Sequence, residues 1–195
     1  MRLNKESFLP GFNRATAALA HGGQRALGRR KSYRPIDPKQ ALHVVLRSSI
    51  ARGKRSMLHP AHCDQIHGFT QKVALRWGIR VYRYANVGNH IHLLIRVPSR
   101  ASWQRFLKEL AGGIAIIMTG AKKGAALDKN QAQRGFWDHL AFTRIVSFGR
   151  DYAGVARYLV KNVFEGAGVP MKRLLAQGLR VMTIARDGSL SGAPP

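Results

Sequence analysis

The run His90–Val97, His-Ile-His-Leu-Leu-Ile-Arg-Val, can hardly be anything but a β-strand with two different faces. Side chains alternate along a strand, so Ile91, Leu93, Ile95 and Val97 point together into a core. His90 and His92 project from the other face, side by side. Two neighbouring imidazoles are a ready pair of metal ligands, because each offers a nitrogen lone pair at neutral pH. Such a pair can equally be structural, and its meaning rests on what else the chain supplies.

The flanking segments fall into a regular order. Leu42–Arg47 reads as a buried strand. Pro60 precedes a helix over Ala61–Trp77, whose apolar positions Ile66, Phe69, Val73 and Trp77 recur at three and four, and Gly78 ends it. Ile79–Ala85 is a second strand, joined to His90–Val97 by the turn residues Asn86, Gly88 and Asn89. Ser102 can cap a helix over Trp103–Thr119 that presents Phe106, Leu107, Leu110 and Ile114 to the sheet. Gly120–Arg134 reads as a loop, Phe136–Ser147 as a fourth strand and Arg150–Glu165 as a last helix. Gly166, Gly168 and Pro170 close that helix. Met171–Ile184 is ambiguous between a short helix and a strand, and Ser189–Pro195 reads as a disordered tail.

The order β-α-β-β-α-β predicts an α+β fold of the ferredoxin-like kind, with both helices on one face of an antiparallel sheet. The added C-terminal helix is then free to cover the opposite face, the one carrying His90 and His92. We place this domain at residues 39–168, with a C-terminal extension at 169–195.

Residues 1–38 are of a different composition: basic, with Glu6 and Asp37 as their acids, and interrupted at His21-Gly22-Gly23. They read as a flexible arm with a short helix near Asn13–Leu19 that gains order on nucleic acid, or as a plain solvated tail. The whole chain of 195 residues has 33 Lys and Arg against 9 Asp and Glu, a formal charge of +24. Such a field disfavours the compact state unless a polyanion neutralises it. Nucleic acid fits best, because each phosphate contact releases condensed counterions. A membrane surface fits poorly, since no long basic amphipathic helix is present and no apolar run approaches the ~18 residues of a membrane span. The single cysteine, Cys63, suits a reducing cytoplasm, where a nucleoid-associated protein would work.

The last helix carries the second chemical signal. At ~100° per residue, Tyr152, Val155, Ala156, Leu159 and Val163 form one apolar stripe. Tyr158 lies off that stripe, and Asn162, one turn later, lies beside Tyr158. If this face packs over His90 and His92, the Asn162 carbonyl oxygen can complete a three-ligand divalent-metal site with Tyr158 next to it. A metal of this kind acts on phosphodiesters as a Lewis acid, and a phenolic oxygen can attack the phosphorus to form a covalent adduct. The bland alternative for Tyr158 is a rim tyrosine. Tyr82 and Tyr84 share a strand face with Arg80, as a base-stacking platform would require. Arg83, Arg96, Arg100 and Arg105 could touch phosphates, whereas Trp103, Phe136 and Trp137 read more simply as core, and His43 as structural.

Several stretches occur together, and in order, as in a known family: His43-Val44-Val45-Leu46-Arg47, Asn89-His90-Ile91-His92-Leu93-Leu94-Ile95, Phe106-Leu107-Lys108, Gly135-Phe136-Trp137-Asp138 and Arg157-Tyr158-Leu159-Val160-Lys161-Asn162. Over roughly residues 40–168 the chain resembles the single-tyrosine HUH transposases, and more closely the REP-associated tyrosine transposases. That resemblance implies His90, His92 and Asn162 as ligands of Mg²⁺ or Mn²⁺ and Tyr158 as the nucleophile. It also implies single-stranded DNA bearing a hairpin or palindrome as substrate, cut with a 5′-phosphotyrosine intermediate during transposition or repeat-element processing. The chain departs from the family where Val87-Gly88 replaces a frequent Met-Pro and Asn162-Val163 a frequent Asn-Pro. The competing expectation is a nucleic-acid-binding module without catalysis, either a decayed transposase or a ferredoxin-like RNA binder. Against it, all four site positions are filled, and the third strand carries histidines where an RNA-recognition strand would carry aromatics. Whether the site is built within a monomer or shared in a homodimer is open at this level.

Overall fold

A computed structural model describes residues 16–28, 33–121, 135–166, 183–184 and 190–191. Strand β1 spans Ala20–His21, β2 Ala41–Arg47, β3 Arg80–Asn86, β4 His90–Arg96 and β5 Phe142–Val146. Helix α1 spans Cys63–Arg76, α2 Arg100–Thr119 and α3 Arg150–Gly166. The five strands form one sheet in the order β1-β5-β2-β4-β3, every pair antiparallel. Without the edge strand β1 this is the strand order of a ferredoxin-like split β-α-β fold, as expected.

The sheet has a core on each side. On one face Leu42, Val44 and Leu46 of β2 and Ile91, Leu93 and Ile95 of β4 pack with Ile66 and Val73 of α1 and with Trp103, Phe106, Leu110 and Ile114 of α2. On the other, Ala41, Ala85, Leu94 and Val146 pack with Val155 and Leu159 of α3. The register pairs Leu46 with Ile91, Val44 with Leu93 and Leu42 with Ile95, so the apolar members of β2 and β4 meet across the sheet.

Helix boundaries follow local chemistry. Ser99, not Ser102, caps α2: the Ser99 hydroxyl accepts from the Ser102 backbone N–H at 3.1 Å, so the helix begins at Arg100. Thr70, polar and 1% exposed within α1, donates its hydroxyl to the Ile66 carbonyl at 2.8 Å. Strand β5 is much shorter than the expected Phe136–Ser147. Residues 135–141 instead run irregularly, held by Trp137 Nε1 donating to the Ala111 carbonyl, Ser48 Oγ donating to the Phe136 carbonyl and the Ser49 N–H donating to Asp138. These side-chain anchors replace the strand ladder.

On α3 the buried residues are Val155, Leu159 and Asn162, with Val163 38% exposed. The expected stripe through Val163 is therefore rotated toward the Tyr158–Asn162 side. A second difference arises in β3, where Val81 pairs with Ile95 and Arg83 with Leu94, leaving Tyr82 as a bulge. The extra residue puts Tyr82 and Tyr84 on opposite faces: Tyr82 packs with the α3 core and Tyr84 with the α1–α2 core. The two tyrosines do not form one stacking platform.

Gly88, in the β3–β4 turn, has φ +88°, which neither proline nor most L side chains adopt without strain. Its carbonyl accepts from the Met57 N–H, its N–H donates to Asn86 Oδ1, and Asn86 Nδ2 in turn donates to the Met57 carbonyl. The departure from Met-Pro at this point is thus a left-handed glycine locked to the Met57 loop.

Part of the expected arm is joined to the sheet. Ala20 and His21 pair with Arg144 and Thr143 of β5. Leu19 and Ile36 pack against the core, and Arg34 donates to the Ala141 carbonyl at 2.8 Å and to Thr143 Oγ1 at 2.6 Å. Residues 1–15, the loop residues 122–134, most of the Met171–Ile184 segment and residues 192–195 lie outside the described residues. Thr183–Ile184 and Leu190–Ser191 pair with each other as two short strands, β6 and β7.

Two outcomes are expected. Gly88→Ala should lower unfolding stability by about 1–3 kcal/mol, read from urea midpoints, because φ is positive and the new Cβ would lie 2.7 Å from Ser56 Oγ. A chain beginning at residue 39 should melt several degrees lower than the full chain, through loss of β1, Ile36 and Arg34.

Candidate active site

The site is built on the even-numbered face of β4. His90 and His92 occupy that face with ring centroids 4.7 Å apart and planes 75° apart. Helix α3 crosses above them, anchored at its start by Arg144 of β5. The Arg144 guanidinium, fully buried, makes a bidentate pair with Asp151 at 2.9 and 3.0 Å. A carboxylate in the first turn also complements the positive end of the helix. Val155 and Leu159 then fill the apolar gap over Leu94 and Ala85. The consequence is a fixed position for Tyr158, whose ring stands edge-on to His92 at 5.6 Å and 89°.

Asn162 lies one helical turn on, 8% exposed, with Nδ2 donating to the Tyr158 carbonyl at 2.9 Å. That bond uses a donor and leaves the Oδ1 lone pairs as the side chain's acceptor capacity. His90, His92 and Tyr158 are therefore in ring contact, and Asn162 sits on the adjoining turn of the same helix.

The nitrogens carry further information. His90 Nδ1 is 2.6 Å from Asn89 Oδ1, an oxygen that only accepts, so Nδ1 carries the proton and Nε2 the lone pair. His92 is 2% exposed, and its Nε2 is buried without a hydrogen-bond partner. A buried, unpartnered nitrogen is costly unless something occupies it. Two borderline imidazole nitrogens and one hard amide oxygen would make a neutral donor set for Mn²⁺ or Mg²⁺. Among the described residues no group of three His, Cys, Asp or Glu side chains is placed to hold a metal ion. On these grounds the residues fit a divalent cation.

His43 is the neighbour that sequence reasoning set aside as structural. It is 1% exposed on β2, with Nε2 3.1 Å from His92 Nδ1. Burial, aided by the nearby Arg144 charge, pushes the His43 pKa down to about 3. Burial first, then His43 and His90, holds His92 well below the ordinary histidine value. Both rings are neutral at physiological pH. The signal available in the sequence was the alternation of β2, which puts His43 on the same face as Val45 and Arg47, opposite Leu42 and Val44.

The arginines considered for phosphate contact are tied to the protein surface. Arg96 donates to the Pro38 carbonyl, Arg100 to the Arg34 carbonyl and Arg83 to the Tyr82 carbonyl, while Arg105 lies over the Trp77 ring. Trp103 is buried, and Phe136 and Trp137 pack against the α1–α2 core, as expected of core aromatics. With Arg34, Arg100 and Lys108 they line a cleft of about 720 Å³ on the side of the sheet away from the histidines.

The model of the family described as IS200-like transposases matches residues 38–162, well over half of the chain. The chain belongs to the IS200-like transposase family. Members of this family are DNA-processing proteins, and the matched span covers β2 through Asn162 of α3. Among solved structures, a REP-associated tyrosine transposase bound to a REP hairpin is similar at 15% identity and a TM-score of 0.50, covering 83% of this chain and 94% of that one. A transposase-like protein from Deinococcus radiodurans aligns at 16% identity and a TM-score of 0.40, over 70% of this chain and 95% of its own. The first likeness shows the fold. No curated protein matches the sequence significantly. Among the described residues, no helix of this IS200-like chain is long and apolar enough to cross a membrane.

The buried histidines make a pH prediction. An unfolded histidine titrates near ~6.5. Below that value the unfolded chain takes up protons that His43 in the folded chain refuses until about pH 3. Stability is thus fully present above about pH 6.5 and is lost as pH falls, at about 1.4 kcal/mol per unit for this one group. Urea midpoints measured between pH 7 and 4.5 should fall more steeply for wild type than for His43→Phe.

Proposed function

We propose that this IS200-like transposase is a metal-dependent strand transferase that cuts single-stranded DNA beside a hairpin, through a covalent bond to Tyr158. The observation that carries the reading is the edge-on contact of the Tyr158 ring with His92, whose buried Nε2 has no other partner. His90, His92 and Asn162 would hold Mg²⁺ or Mn²⁺. When bound, that ion supplies Lewis-acid polarisation of the scissile phosphate.

The chain's own residues do the rest. Helix α3, pinned by Arg144–Asp151, carries Tyr158, whose ring contacts His92 of β4. The Tyr158 oxygen attacks phosphorus, forming an O–P bond as the bond from phosphorus to the 3′ oxygen breaks. The phenolic proton leaves to solvent, and the departing 3′ oxygen takes up a proton to become a free hydroxyl. The phosphate remains on the 5′ end as a phosphotyrosine. Because the adduct keeps the energy of the broken bond, a second 3′-hydroxyl can reverse the step and join a new strand without a nucleotide cofactor. The chain carries a formal charge of +24, a strongly positive field around the site. The same charge draws the DNA to the protein, and affinity should fall with salt at a slope of about −0.7 per phosphate contact on a single strand.

Incubation with a hairpin-bearing single strand and Mn²⁺ should give a protein–DNA adduct that survives denaturing electrophoresis. Tyr158→Phe and excess EDTA should each abolish it, and Tyr152→Phe should not. His90→Ala should remove cleavage while changing hairpin affinity by less than about threefold, since phosphate contacts carry binding. An undiminished adduct from the Tyr158→Phe protein would overturn the assignment, and hairpin binding with no adduct from wild type would identify a decayed, binding-only member.

A further inference from the structure

A cation held by two histidines takes one bare nitrogen from each ring, and the other nitrogen then carries the proton and almost always donates it to a fixed partner. For His90 the tie is the neighbouring Asn89 Oδ1. For His92 the corresponding partner is His43, reached across the sheet. β2 register places His43 opposite Leu94, so His92 is its diagonal neighbour on the same face.

The geometry of this pair is that of a hydrogen bond in the plane of both rings. The planes differ by 11°, and the ring centroids are 5.3 Å apart. That separation is simply the 3.1 Å between His43 Nε2 and His92 Nδ1 plus the two ring radii. The rings lie edge to edge, not face to face, with each nitrogen on the other's lone-pair axis. One proton lies between the two nitrogens. If it rides on His43, then His92 carries its own proton on Nε2 and can hold no cation. If it rides on His92 Nδ1, the buried and unpartnered Nε2 of His92 carries a bare lone pair.

We propose that His43 is a positioning residue: as an acceptor it holds His92 in the Nδ1–H form and so presents Nε2 to the metal, as Asn89 does for His90. The inference rests on the reading of His90 and His92 as metal ligands. The arrangement has a local cost, because the His43 Nδ1 that must then carry a proton is buried without a partner. A residue selected for packing alone would not need that unsatisfied group, and phenylalanine would fill the space without it.

The test uses the full chain with ¹⁵N-labelled histidine. In metal-free wild type, the ring nitrogen spectrum of His92 should show the Nδ1–H form, and in His43→Phe the signal should move to the Nε2–H form. Mn²⁺ affinity by calorimetric titration should fall by about 10- to 100-fold in His43→Phe. It should recover to within a few-fold of wild type in His43→Gln, whose amide oxygen can accept from His92 Nδ1–H. An Nε2–H form of His92 in wild type would overturn the proposal even if His43→Phe did not fold, as would unchanged Mn²⁺ affinity in a folded His43→Phe. A His90→Ala protein that binds Mn²⁺ as wild type does would instead refute the metal-ligand reading, leaving the wild-type spectrum to decide the role of His43.

Discussion

The pairing register of β2 against β4 is the constraint on which the rest depends. With Val44 opposite Leu93 and Val45 opposite His92, every odd member of β4 enters the α1–α2 core, while Leu94 packs under α3 with His90 and His92 on the same face. A slip of one residue would drive His90 and His92 into the apolar core and expose Ile91, Leu93 and Ile95. Burying two imidazoles among aliphatic side chains would cost several kcal/mol, so the same hydrophobic burial that stabilises the sheet also aims the histidines.

The second layer of control is where α3 lands. Its apolar residues would pack against many places on the sheet, but the buried Arg144 guanidinium pairs bidentately with Asp151 at the helix start. Removing either partner would leave a charge desolvated, which is why this pair acts as a locating pin more than as a source of net stability. With the helix start pinned and Val155 and Leu159 seated, Tyr158 has little choice but to face His92. Two polar contacts thus accompany the apolar layer on this face, Arg144–Asp151 and His43–His92.

The sequence reading was sound where a local period carries the information. The strands around His90–His92, the helices over Ile66–Val73 and Trp103–Ile114, and the last helix with Tyr158 and Asn162 one turn apart are all readable in this way. It failed where a single residue changes the count or an anchor replaces a ladder. The Tyr82 bulge in β3 puts Tyr82 and Tyr84 on opposite faces, and nothing in the sequence of that strand announces it. Residues 135–141 are aromatic enough for a strand, but Ser48, Ser49 and Ala111 hold them in another path. In the segment read as an arm, Leu19 and Ile36 show no period, yet each packs against the core.

By itself the sequence determined the order of elements, the pair of histidines on one strand face, the tyrosine–asparagine pair on one helix face and the basic charge that calls for a polyanion. Those are properties of neighbours along the chain, set by alternation, helical period and composition. Only the tertiary structure decided that the two faces meet, that the buried stripe of α3 runs through Asn162 in place of Val163, and that His43 is bonded to His92. Contacts between residues far apart in sequence depend on register and on which polar groups must be satisfied when water is excluded, and neither is written in any one segment.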